Sequence, residues 1–159
     1  MLSFLYIILC GCVAISCYLI SPDNSKNANQ MHLEIHSKIP GFTTKILEIP
    51  SQKKTSLFSK LIYGDEFPPT QILIDSYRIT EEHLIVKKRK EFELEHKFPL
   101  TLFEESVDSY IKTKTYYFGT DKFGRDLLSR ILIGTRISFS IGFIAVLISL
   151  LIGTSIGAI

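Results

Sequence analysis

Charge is missing from both ends of this chain. No Asp, Glu, Lys or Arg precedes Asp23, and none follows Arg136. The three cysteines are confined to the first apolar segment, as Cys10, Cys12 and Cys17. The polar middle therefore has no disulfide to form, and a disulfide-stapled secreted scaffold is excluded. No basic stripe with interleaved aromatics is present, which leaves nucleic-acid binding without support. The 18 basic and 16 acidic residues nearly cancel, so net charge says little about partners. Lys87-Lys-Arg-Lys90 is a short basic run, read as a solvated strand or turn edge rather than a lipid or nucleic-acid patch.

What remains is two apolar ends around a polar middle. Residues 1–20 are uncharged and match the length of a transmembrane helix. A second reading of this segment stays open. Leu9-Cys-Gly-Cys12 loosely resembles a lipid-attachment box, so the segment could be a cleaved or lipidated signal. The missing basic n-region and the apolar run past Cys12 to Ile20 favour a retained span. The cysteines read as small apolar fillers, with no metal-ligand company. The far end, residues 137–159, has no ionisable group over 23 residues. As a helix that is roughly 34 Å, enough to cross a hydrocarbon core of about 30 Å. The chain stops inside that span, so the expectation is the front of something longer.

The middle, residues 21–117, reads as a small α+β insert of modest core. Ser21 to Asn29 is rich in small polar residues and reads as a turn and linker. Residues 30–38 suggest a short helix, with Met31, Ile35 and Ile39 spaced by four, stopped by Pro40-Gly41. Thr43–Ile49 reads as a strand ended by Pro50, and Pro68-Pro69 makes another break. From Gln71 to Phe98 the period is two: Ile72 and Ile74, Leu84 and Val86, then Phe92, Leu94, His96 and Phe98. That is the pattern of half-buried antiparallel strands. His96 reads as a packed histidine, and the four histidines have no metal-ligand spacing. Thr101 and Glu104 fit a capping box for a helix over 102–111. The carboxylate pairs Asp65-Glu66, Glu81-Glu82 and Glu104-Glu105 are sequence neighbours whose side chains diverge. No catalytic constellation is expected, and no metal site or cofactor.

Residues 118–136 form a charged, glycine-punctuated junction. Gly119-Thr-Asp121 can cap a helix starting near Lys122, with Lys122–Asp126 and Asp126–Arg130 as i,i+4 pairs. Leu127, Leu128, Ile131 and Leu132 would supply its apolar face. The reading from physics alone is a charged anchor that sets the depth of the next helix. Within the second span, Ala145, Ser149, Gly153 and Gly157 recur every four residues. Small residues on one stripe let helix backbones approach closely in lipid.

The junction resembles a known family. Gly119-Thr-Asp121, Gly124-Arg-Asp126 and Ser129-Arg130 occupy eight of twelve positions. With Gly134-Thr-Arg-Ile-Ser138 and the run from Gly142 to Gly153, they look like the second permease type of dipeptide and oligopeptide ABC importers. Ser21-Pro22 is compatible with that family's turn out of its first helix. The resemblance is close over residues 118–159 and weak over 1–30. It implies a membrane protein: an N-terminal transmembrane helix, an extracytoplasmic insert, and the second helix of a truncated type I ABC importer permease. It also implies a bacterial inner-membrane location, with residues 21–130 outside the cytoplasm. The implied partners are a second permease subunit, two cytoplasmic ATPase subunits that bind the ATP, and an external substrate-binding protein. Such a chain is no enzyme itself. Asp121, Arg125, Asp126 and Arg130 would set the outer-face geometry, with a local helix cap as the plain alternative. Two departures stand out. The insert is longer than the family's linker, and the coupling loop and later helices of a core of about five are absent, since one or two spans cannot enclose a polar path. The rival class is a membrane-anchored extracytoplasmic binding or interaction module.

Overall fold

Helix α1 (Leu2–Ile20) ends where Ser21 turns extended, because the following Pro22 disfavours helical geometry at the residue before it. In this computed structural model, residues 1–51, 53, 55–88, 95–103 and 106–158 are described. Of the three cysteines, Cys17 is buried, Cys10 half-buried and Cys12 exposed, all as free thiols.

The segment after α1 is not slack. Ser21, Asp23, Ser25, Ala28 and Ile35 are all buried. The helix expected over residues 30–38 does not form, and only a single 3-10 turn, Leu33–Ile35, is present. The physical reason lies in where the backbone groups go. The amides of His32 and Ser37 donate to the carbonyls of Phe123 and Asp121, at 3.2 and 2.9 Å. Of the expected apolar stripe only Ile35 is inside, while Met31 and Ile39 are exposed.

Among the described residues, five strands make one antiparallel sheet. They are β1 (Phe42–Ile49), β2 (Thr70–Ile79), β3 (His83–Lys88), β4 (Glu95–Pro99) and β5 (Ile111–Tyr116), in the order β4-β3-β2-β1-β5. Between β1 and β2 comes helix α2 (Leu57–Tyr63), and before β5 a single-turn helix α3 (Val107–Tyr110). Alternation puts Leu47, Ile74, Leu84 and Val86 on one face, packed with Phe103 and Val107. Ile46, Leu73 and Tyr116 pack on the other face with Ile35. The half-buried expectation for residues 71–98 is therefore corrected at β2, where Leu73 and Ile74 are both buried. β1 and β2 bury side chains on both faces, because the segment leaving α1 covers the second. His96 sits opposite Val86 in the β3–β4 pairing, half-buried.

The helix expected over residues 102–111 is cut to α3. Phe103 turns extended after a 3-10 turn and sets its ring 5.1 Å from that of Tyr110, and Ile111 already pairs with Leu47. The expected roles of Phe92, Leu94, Glu104, Glu105 and the end of the basic run fall outside the described residues, as does Ile159.

Helix α4 (Leu127–Gly157) runs unbroken for 31 residues, about 46 Å at 1.5 Å per residue. It crosses the expected boundary at residues 136–137 without a kink. Against α1 it packs Ile133 near Cys17 and Tyr18, and lays the Phe139 ring over Gly11. Both α1 and α4 are long and apolar enough to cross a membrane, by length and composition.

Candidate functional site: the junction between helices

The eight motif residues from Gly119 to Arg130 build a clasp that closes on the segment leaving α1. Asp121 is its centre. One carboxylate oxygen accepts the backbone amides of Phe123 at 2.8 Å and Arg125 at 3.0 Å. The other accepts Arg125 Nε at 2.9 Å and the guanidinium of Arg130 at 2.8 Å. Burial pushes this carboxyl's pKa up, but the hydrogen bonds from Arg125, Phe123 and Arg130 outweigh it and hold it at about 2. Arg125 also stacks 4.6 Å from the Phe123 ring and donates to the Asn29 side chain at 3.0 Å.

The two glycines are needed for closeness as well as for conformation. Gly119 and Gly124 have φ of +74° and +73°. A Cβ on Gly119 would sit 2.2 Å from the Lys38 carbonyl oxygen, and one on Gly124 1.8 Å from that of His32. No side chain fits either gap. Thr120, buried between them, donates its hydroxyl to the Ile35 carbonyl at 2.5 Å and accepts the Lys38 amide at 2.9 Å.

Asp126 is the N-cap of α4, accepting the Ser129 amide at 3.1 Å and the Ser129 hydroxyl. Ser129, fully buried, in turn accepts the amide of Asp23 at 2.9 Å. The Asp23 carboxylate accepts the amides of Ser25 and Gln30, at 3.0 and 3.3 Å. The start of α4 and the exit of α1 are thus joined through one hydroxyl. The second Asp126 carboxylate oxygen and the Tyr116 hydroxyl are buried and have no hydrogen-bond partner among the described residues. Burial raises the Tyr116 phenol's pKa, and the Asp126 and Asp23 carboxylates push the same way. Burial lowers that of His32, and Lys114 adds to it.

Several expectations are corrected here. The helix begins at Leu127 rather than near Lys122, so Lys122–Asp126 and Asp126–Arg130 do not pair across a helical turn. Lys122 lies instead over the Phe123 ring, and Arg130 reaches back to Asp121. The buried face of the early helix is Ser129 and Ile133, with Ile131 exposed. The stripe of Ala145, Ser149, Gly153 and Gly157 is exposed, and an added Cβ at Gly153 or Gly157 meets open space. Neither Gly153 nor Gly157 lies against α1. No group of three or more metal-ligating side chains gathers among the described residues. Sequence reasoning missed Asp23, Asn29, His32 and Lys38, the receiving half of the clasp. The signal for Asp23 and Asn29 is the density of Asn, Asp and Ser directly after α1, residues that bond to backbone in turns, whereas His32 and Lys38 join through backbone groups that leave none.

Over 44 residues, 28% of the chain, the sequence is 61% identical to the dipeptide transport system permease protein DppC of Haemophilus influenzae. It is 54% identical over 44 residues to the oligopeptide transport system permease protein OppC of the same organism. Over 45 residues it is 47% identical to the glutathione transport system permease protein GsiD of Pectobacterium atrosepticum. The matched stretches span 15%, 14% and 15% of those relatives' lengths. No family model and no solved structure matches the chain. Through that short stretch the chain is related to the permeases of peptide ABC transport.

Proposed function

We propose that this chain contributes to a permease subunit of an ABC importer for peptides or similar small solutes. The observation that carries the reading is the clasp. The motif shared in appearance with the family is the piece that fastens the exit of α1 to the start of α4. In this reading α1 and α4 cross the bacterial inner membrane and residues 21–130 lie outside the cytoplasm. A second permease packs on the small-residue stripe of α4. Two cytoplasmic ATPases bind and hydrolyse ATP, and an external binding protein delivers the solute. The chain itself catalyses nothing and holds no cofactor. Asp121, Arg125 and Arg130 keep the outer-face geometry through their paired charges.

A membrane-anchored binding or interaction module outside the cytoplasm is the second reading. The five-stranded sheet with its own core favours it. Uptake of a labelled dipeptide and oligopeptide, before and after disruption of the gene, separates the two. The permease reading expects uptake to fall and the tagged chain to copurify with ATPase subunits. Unchanged uptake, with the chain still in the membrane fraction, would leave the anchored module.

A further inference from the structure

Helix α2 has seven residues, none of them buried. Five are apolar or aromatic: Leu57, Phe58, Leu61, Ile62 and Tyr63. Leu57, Phe58 and Tyr63 are 86%, 72% and 64% exposed. A helix this short has no stability of its own in water, and a cluster of exposed apolar side chains marks a surface that something covers.

The position of α2 says what covers it. Arg136 is the last ionisable residue before the uncharged run of α4. Its guanidinium donates to the Leu61 carbonyl at 3.2 Å and lies 5.4 Å from the Tyr18 ring. An arginine at the end of an apolar span, beside a tyrosine, sits at headgroup depth. Leu61 is held at that depth with it. Leu61 and Ile62 also line an apolar groove of about 500 Å³ together with Ala14 of α1 and Phe139 and Phe143 of α4. Through Leu61 and Ile62, α2 therefore adjoins the apolar surfaces of the two long helices, and Leu57 and Phe58 lie one turn before them. The C-terminal end of α2 is fastened as well. The Asp65 amide donates to the Asn24 carbonyl at 2.8 Å, and the Asp65 carboxylate pairs with Lys60 at 3.1 Å.

We propose that α2 is an interfacial helix that seats Leu57 and Phe58 in the bilayer, at the boundary of headgroups and acyl chains on the insert's side. The inference rests on the reading of α1 and α4 as membrane spans. The partner is the lipid surface, recognised by apolar area at a depth that Arg136 sets.

The chain contains no tryptophan, so one substitution installs a single fluorescent probe. Phe58→Trp, with Leu57→Trp as a second placement, is reconstituted as the full chain in phosphatidylcholine–phosphatidylglycerol vesicles. Leu147→Trp serves as the deep reference in α4. The expected result for α2 is blue-shifted emission, roughly halved by lipid brominated near the headgroup end of its acyl chains and less affected by deep bromines. Leu147→Trp is expected to show the reverse depth preference. Emission from both α2 probes that is quenched by aqueous iodide and untouched by brominated lipid, with Leu147→Trp still deep, overturns the inference alone. All probes in water would overturn the spans, and the inference with them.

Discussion

The hydroxyl of Ser129, in the first turn of α4, accepts a 2.9 Å hydrogen bond from the backbone amide of Asp23, 106 positions earlier. The same hydroxyl donates to the capping carboxylate of Asp126. One buried atom thus fixes where the second long helix starts relative to where the first one ends. The junction motif is therefore a tertiary device as well as a local cap.

Ser129→Ala removes that atom and strands the Asp23 amide in a buried site. The expected loss is about 1–3 kcal/mol, the cost of an unsatisfied buried polar group. Thermal melts in detergent, together with protease sensitivity of residues 21–38, check it. A melt unchanged from the parent chain would mean that the clasp does not bear on stability.

Gly124→Ala places a methyl group against the His32 carbonyl at a positive φ. Destabilisation of more than about 1 kcal/mol is expected, with the 30–38 segment losing amide protection in hydrogen exchange. Gly142→Ala, in open space on α4, is the matched control and should leave protection of that segment unchanged.

Asp121 makes stability depend on acid. Its folded pKa of about 2 lies below its ordinary value of 3.8, so the unfolded chain takes up the proton first. The contribution is fully present above pH 4 and is lost as pH falls through 2. Its size is on the order of 1–2 kcal/mol after allowance for solvent screening. Asp121→Asn should remove that part of the acid sensitivity, read as a flatter stability curve between pH 4 and 2. A variant curve parallel to the parent's would contradict the paired-charge account. His32 works in the same direction at higher pH. Its burial lowers the folded pKa below 6.5, so stability falls as pH drops below that value.

Gly153→Leu tests the exposed stripe. Within this chain an added side chain meets nothing, so the melt should stay within about 0.5 kcal/mol of the parent. Under the proposed permease reading, copurification of a second permease should fall, because a large side chain keeps the backbones apart. Full retention of that subunit would assign the stripe to lipid.

Periodicity and charge alone outlined much of this molecule. The two uncharged ends became α1 and α4, and the alternation through Leu84 and Val86 became β3, since side-chain period follows directly from backbone geometry. The eight-residue motif was legible as a unit, because its glycines and charges are rare in that order. Residues 30–38 carry a helical spacing without forming the helix. Their spacing by four satisfied a helical template, but His32 and Ser37 donate to the junction loop instead of to a helix. The pairing of Asp121 with Arg130, nine positions apart, was likewise hidden, because i,i+4 rules presume the helix had already begun.

Local pattern along the chain marks which segments are apolar enough to enter a membrane, where the strands alternate, and that the family resemblance lies over residues 118–159. Those properties depend on neighbours along the chain. That Asp126 caps rather than pairs, that Gly124 packs against His32, and that α2 lies beside Arg136 emerge in the folded chain alone. Each needs two segments far apart in sequence to meet, and a backbone amide or carbonyl that every residue possesses leaves no mark of its partner in the sequence.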